Sequence, residues 1–123
     1  MKDYKTLNLA VVGASADPLK YGHSIFRDLL ASRYTAIGVN PKGEDILGHK
    51  VYPALKDLPL VPDVVITVVP PRITYTIIDQ CVELGVKEIW MQPGSESEQA
   101  AEKARHHGIT VTMSCFMKAQ HIW

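Results

Sequence analysis

The residues best placed to do chemistry lie in Gly13-Ala14-Ser15, directly after the apolar run Leu9 to Val12, and in Lys20-Tyr21-Gly22 a few positions on. Glycine followed by small residues lets the backbone turn sharply and approach a ligand closely. A helix starting near Gly22 leaves its first N–H groups unpaired and points the positive end of its dipole at that turn. This pattern offers anion binding, of phosphate above all. A second cationic element stands in Asn40-Pro41-Lys42, and two further kinked or polar stretches occur at Val69 to Arg72 and Gln92 to Ser95. Each holds the residue types that a backbone-lined pocket requires.

Other chemistries find little support. The five histidines, His23, His49, His106, His107 and His121, form no i, i+4 pair and share no spacing with Cys81 or Cys115, so no metal site is expected. His23 falls in the first helical turn, where the dipole disfavours a positive imidazolium, and reads as a loop or surface residue. The adjacent His106 and His107 suit the negative end of a helix. The two cysteines form neither a C-x-x-C pair nor a disulfide framework.

The elements that must position these residues follow from periodicity. Ile25, Phe26, Leu29 and Leu30 recur at helical spacing, and this helix should stop near Ser32 or Arg33. Ala36, Ile37 and Val39 form a second buried strand ending at Asn40-Pro41. The segment His49 to Tyr52 is an edge strand, and Ala54 to Leu58 one helical turn. Val64 to Val69, the most apolar run, is a central strand closed by Pro70-Pro71. The next helix carries Ile73, Ile77, Ile78, Cys81, Val82 and Leu84 on its apolar stripe and ends at Gly85. Glu88 to Met91 is a further strand. Ser95 with Glu98 reads as a capping box opening a last long helix, Gly108 closes it, and Ile109, Val111 and Met113 alternate along a final strand.

Strands alternating with helices without repeat or linker predict one doubly wound α/β domain over residues 1–123, Rossmann-like, with a mostly parallel sheet of order 3-2-1-4-5-6. The chain length suits one core. Thirteen basic and thirteen acidic residues give zero net charge, so no global field favours nucleic acid or an acidic membrane surface. The N-terminus has no signal-peptide pattern and no run is long enough to span a membrane, which predicts a cytoplasmic protein.

In such sheets the ligand lies beyond the carboxyl ends of the strands where their order reverses. A dinucleotide site needs G-x-G-x-x-G and an acidic residue about twenty positions on. Ser15 stands at the second glycine position, and Lys42 lies where the ribose-binding acid would be. A ribose bearing phosphate fits better, which leaves coenzyme A, with its 3′-phosphate, and NADP, with its 2′-phosphate. A dehydrogenase normally holds its substrate with a second domain, and this chain has no residues to build one.

The chain resembles the small stand-alone CoA-binding domain proteins, akin to the nucleotide-binding domain of the succinyl-CoA synthetase α subunit. The resemblance rests on VVGAS at Val11 to Ser15, Tyr21-Gly22, VNPK at Val39 to Lys42, LG at Leu47-Gly48, YPAL at Tyr52 to Leu55, WMQPG at Trp90 to Gly94, and the Cys115 to Lys118 segment. It implies that Gly13, Ala14, Ser15, Lys20, Tyr21 and Gly22 hold the pyrophosphate, while Asn40, Pro41 and Lys42 flank the phosphorylated ribose. It further implies that Val69 and Pro70 line the adenine and pantetheine path, with Gln92 to Gly94 on the far side. The chain departs from the family at Ser32-Arg33-Tyr34, where glycine is common before the tyrosine, and at Ser114, where arginine is more usual.

The resulting expectation is a small cytoplasmic protein that binds coenzyme A or an acyl-CoA without catalysis of its own. The alternatives are an NADP-binding redox or sensor protein, and an interaction subunit with a degenerate pocket. The tail Gln120 to Trp123 reads as exposed and offers a contact for a homodimer. Cys115, just after the last strand, stands either at the ligand edge, within reach of a mixed disulfide with the CoA thiol, or in the core as a small hydrophobe.

Overall fold

The computed structural model describes residues 2–123. The first strand, β1 (Asn8–Val12), is buried on both faces, which explains its continuous apolar run. Its side chains alternate: Leu9 and Val11 join one core cluster, Ala10 and Val12 the other. Helix α1 (Tyr21–Ala31) packs Ile25, Phe26 and Leu29 into the first cluster and ends where predicted, with Ser32 as its cap and Arg33 in a left-handed conformation.

The chain then forms β2 (Thr35–Val39), the two-residue β3 (Val51–Tyr52), a 3-10 turn at Leu55–Asp57, and β4 (Val64–Thr67). Val68 and Val69 were expected to continue this strand. They leave it instead, although the Val68 amide still donates to the Val12 carbonyl at 2.8 Å. Helix α2 (Pro71–Leu84) starts on proline, where the missing N–H costs nothing, and Gly85 caps it in the left-handed region at φ +78°.

Strand β5 (Glu88–Met91), helix α3 (Glu98–His106), strand β6 (Thr110–Met113) and the short α4 (Phe116–Ala119) complete the fold. The N-cap of α3 is Ser97, whose hydroxyl accepts from the Ala100 amide at 3.1 Å, and not the expected Ser95. Ser95 is buried and its hydroxyl serves another network, described below. Thr74, on the inner face of α2, is likewise fully buried, whereas Ile73, expected on the apolar stripe of that helix, is 36% exposed.

All five strand pairings are parallel and the sheet order is β3-β2-β1-β4-β5-β6, as predicted. Helices α1 and α4 cover one face, α2 and α3 the other. Because β1 lies between β2 and β4, the connections that leave β1 and β4 pass to opposite faces and open a crevice at their carboxyl ends. At the other end of the sheet the buried Glu88 accepts from Lys2 at 2.6 Å, Tyr4 at 2.5 Å and Trp90 at 2.8 Å, which ties the N-terminal segment under β5.

Candidate functional site

The crevice is built around Gly13. Its φ of +105° suits glycine alone, and a Cβ there would meet the Val68 carbonyl oxygen at 2.2 Å. The Gly13 amide donates to the Val39 carbonyl at 3.0 Å, which pins the turn to the end of β2. The rest of the loop is held by short-range bonds: the Asp17 amide donates to the Ser15 hydroxyl at 3.1 Å, and the Leu19 amide to the Asp17 carboxylate at 3.0 Å. His23 is not a surface residue. It is buried, and its Nδ1 lies 2.9 Å from the Ser15 carbonyl oxygen. The ring bridges back across the loop, so burial and a local backbone partner override the helix-end argument.

Helix α1 opens into this loop without a side-chain cap at Lys20 and without an acidic residue in its first turn. Among the described residues no acceptor is paired with the Tyr21 or Gly22 amides. Two backbone donors and the positive helix end therefore face the crevice. The main cleft measures about 420 Å³ and is lined by Gly13, Ser15, Lys20, Tyr21, Gly22, Val68, Val69, Pro70, Pro71, Pro93, Gly94 and Ser95. Eight of the residues proposed from the sequence, Gly13, Ser15, Lys20, Tyr21, Gly22, Val69, Pro70 and Gly94, are thus brought together.

The remaining five sit around it. Ala14 is fully buried beneath the loop, and its carbonyl accepts from Asn40 Nδ2 at 2.7 Å. The Asn40 side chain also accepts from the Lys42 amide at 2.8 Å, so both of its ends bind backbone and it links the two loops. Lys42 lies with Ser15, Ala16, Asp17, Asn40, Glu44 and Ile46 around a recess of about 100 Å³ beside the Gly13–Gly22 loop. Pro41 lines a separate apolar pocket of about 210 Å³ that shares Gly13 and Val69 with the main cleft.

Gln92 stands behind the cleft. Its side chain is fully buried, donating to the Tyr21 hydroxyl at 3.0 Å and to Cys115 Sγ at 3.5 Å while accepting from the Phe116 amide at 2.6 Å. It holds Tyr21 and the start of α4 in place, leaving Pro93 to Ser95 as the wall itself. Burial pushes the Tyr21 phenol above its ordinary pKa, and the hydrogen bond from Gln92 offsets this only in part. Burial also acts to raise the Cys115 thiol, but bonds from the Lys118 amide, Gln92, Tyr21 and the Met117 amide outweigh it and hold the thiol below its usual value. Cys81, with burial alone acting on it, is pushed up to about 12.

Two features of the site were missed from sequence. Ser95 donates to Thr67 at 2.7 Å, Thr74 Oγ1 lies 2.7 Å from Ser95 Oγ, and the Thr74 hydroxyl donates to the Ser95 carbonyl at 2.8 Å. These three buried hydroxyls fasten the Pro93–Ser95 wall to β4 and α2. The only signal was two threonines among apolar neighbours. The tail is the other feature: Trp123 Nε1 donates to Asp28 at 2.7 Å and its ring lies 5.7 Å from that of Tyr21, while Ile122 packs on the core. It is folded back on its own domain.

Comparison with known proteins decides the family. The sequence model described as the CoA binding domain matches residues 8–121. The chain belongs to the CoA binding domain family. Among curated relatives, the α subunit of acetate–CoA ligase (ADP-forming) II from Pyrococcus furiosus is 33% identical over 98 residues, covering 79% of this chain and 21% of the relative. The chain spans only 16 to 26% of the length of the first three ligases it matches. Among solved structures, a conserved hypothetical protein from Pyrococcus furiosus superposes with a TM-score of 0.81 at 38% identity, covering 89% of this chain and 92% of that one. A dinucleotide-forming acetyl-coenzyme A synthetase from Ca. Korarchaeum cryptofilum, in complex with phosphate and ADP, gives a TM-score of 0.79 at 31% identity over 90% of this chain and 26% of its own. This family supports coenzyme A as the ligand; the NADP alternative finds no support in it.

Proposed function

We propose that this chain is a cytoplasmic binding module for coenzyme A or an acyl-CoA and catalyses no reaction of its own. One observation carries the reading: the uncapped start of α1, with the free Tyr21 and Gly22 amides, opens into a cleft whose rim bears Lys20 and, in the adjoining recess, Lys42. A pyrophosphate at the helix end and a ribose phosphate near Lys42 would use both cationic regions. The apolar stretch from Val68 to Pro71 and the Pro93–Gly94 wall would then follow the pantetheine arm.

Native mass spectrometry of gently purified protein, followed by thermal shifts with CoA, NADP and NAD, tests the reading. CoA should raise the melting temperature in a concentration-dependent way, by the mass action of a ligand that binds only the folded state. A shift with NADP alone would replace CoA with a redox cofactor. No shift with any of the three would favour an interaction subunit.

A further inference from the structure

We infer that His23 is a positioning residue for the ligand's phosphate: by holding the Ser15 carbonyl on the buried side of the loop, it turns the next backbone amide, that of Ala16, outward. This rests on the coenzyme A reading above and deepens it, since it gives a task to a residue that lines neither the cleft nor the recess.

Three consecutive carbonyls of the loop are engaged on the protein side. That of Gly13 lies against Gly22, where a Cβ would approach its oxygen to 1.9 Å. That of Ala14 accepts from Asn40 Nδ2 at 2.7 Å, and that of Ser15 lies 2.9 Å from His23 Nδ1. A carbonyl oxygen can only accept, so Nδ1 carries the proton and donates. His23 is only 7% exposed, and packing therefore fixes the ring that makes this bond.

In a planar trans peptide the carbonyl and the following N–H point in opposite directions. Holding the Ala14 and Ser15 carbonyls inward thus turns the Ser15 and Ala16 amides outward, where Ser15 lines the cleft and both residues line the recess beside Lys42. Among the described residues neither amide has an acceptor. A loop showing its carbonyls there would repel a phosphate; this one presents donors that are set before any ligand arrives. Asn40 acts from the end of β2, but His23 belongs to α1. The helix that offers the Tyr21 and Gly22 amides therefore also aligns the loop that precedes it.

Packing alone and positioning predict opposite orders on substitution. Leucine fills the buried site but brings no donor, whereas asparagine sets Nδ2 near the place of Nδ1 and, being smaller, leaves a void. The test is a titration of the isotope-labelled whole protein with CoA and with inorganic pyrophosphate, read by NMR at the backbone amides, beside the melting temperature of each ligand-free variant. In the wild type both probes should move the Ser15 and Ala16 resonances. His23→Leu should bind CoA about tenfold more weakly and leave the Ala16 resonance in place, the loss expected for one hydrogen bond to a charged group. His23→Asn should bind within about twofold of wild type although it melts lower. Affinities that follow the melting temperatures, with asparagine the weaker binder, would overturn the inference, as would CoA binding that leaves Ala16 unmoved. Pyrophosphate that moves both amides while CoA fails to bind would uphold the loop and end the coenzyme A reading. Binding of neither probe by the wild type would end both.

Discussion

A Cβ on Gly22 would lie 1.9 Å from the carbonyl oxygen of Gly13, so the start of α1 rests directly on the turn that ends β1. Glycine here serves close approach, since both parties at the contact are backbone. Gly22→Ala should therefore separate loop and helix, at a cost of about 2 to 3 kcal/mol in stability, the upper range for overpacking. Gly94→Ala should cost less, about 1 to 2 kcal/mol, because its φ of +92° is strained for alanine but its Cβ would meet nothing within 4 Å. Urea unfolding of the two variants checks the order.

On the coenzyme A reading, Lys42 is the group that would distinguish a phosphorylated ribose. Lys42→Ala should weaken CoA binding by about 1.5 to 3 kcal/mol, or roughly ten- to a hundredfold, if the ammonium makes a charge-assisted bond. Dephospho-CoA should bind wild type and variant alike. Equal loss for both ligands in a titration would remove Lys42 from the 3′-phosphate.

Arg33 sits at φ +66° just past the end of α1, where its Cβ is unfavourable and glycine is the usual occupant. Arg33→Gly should stabilise the domain by about 0.5 to 1 kcal/mol, the left-handed strain relieved less the added entropy of the unfolded chain. A thermal or chemical unfolding midpoint that does not rise would show that the arginine side chain contributes more than its strain.

Stability should fall at both extremes of pH through one cluster. Burial works to raise the Glu88 carboxyl, but the bonds from Lys2, Tyr4 and Trp90 prevail and lower it. Its stabilisation is thus present above the unfolded value of about 4.3 and is lost as pH drops through the lower folded value. Tyr4 behaves oppositely: burial first, then the bond to Glu88, raises it to about 12. Its contribution is intact below the unfolded value of about 10 and is lost as pH rises toward its folded value. Glu88→Gln should flatten the acid limb of a stability-against-pH curve, and Tyr4→Phe the alkaline limb.

The two cysteines should differ in reactivity. Cys115, its thiol held low by four donors and close to Tyr21 at the cleft, should be alkylated by iodoacetamide in the native protein before Cys81. Cys81, raised to about 12 by burial, should react only on unfolding. Peptide mass mapping after timed labelling gives the order. Occupation of the cleft by CoA should slow Cys115 further if the ligand covers Tyr21.

Periodicity made the sheet order, the three long helices and the glycine turn legible, because both faces of the sheet demand apolar runs and the junctions that open α1, α2 and α3 are marked by glycine or proline, whereas the Ser114-Cys115 junction before α4 carries neither. What stayed hidden was set by distant partners. In Ser95-Glu96-Ser97-Glu98 two serines can cap the same helix locally, and what draws Ser95 away is Thr67 and Thr74, 28 and 21 residues earlier. His23 was misplaced because a helix-end argument weighs only charge, while a buried imidazole finds its partner in the Ser15 carbonyl. Gln92 belonged to the right loop, but its three bonds to Tyr21, Cys115 and Phe116 depend on how α4 folds back. Lys42 and Asn40 lie beside the Gly13–Gly22 loop, because the parallel pairing of β1 with β2 brings their ends together.

The Glu88 cluster and the cleft occupy opposite ends of the same four-residue strand, Glu88 opening β5 and Gln92 following its close, about 13 Å of extended chain apart. Phe116 joins the two ends: its ring lies 5.2 Å from that of Tyr4, and its amide donates to Gln92. The molecule is accordingly a two-pole object, anchored at one end and receptive at the other. Changes that strengthen the anchor can offset losses incurred when the receptive end is remodelled for a new ligand, and the fold leaves room for such exchange without redesign of its sheet.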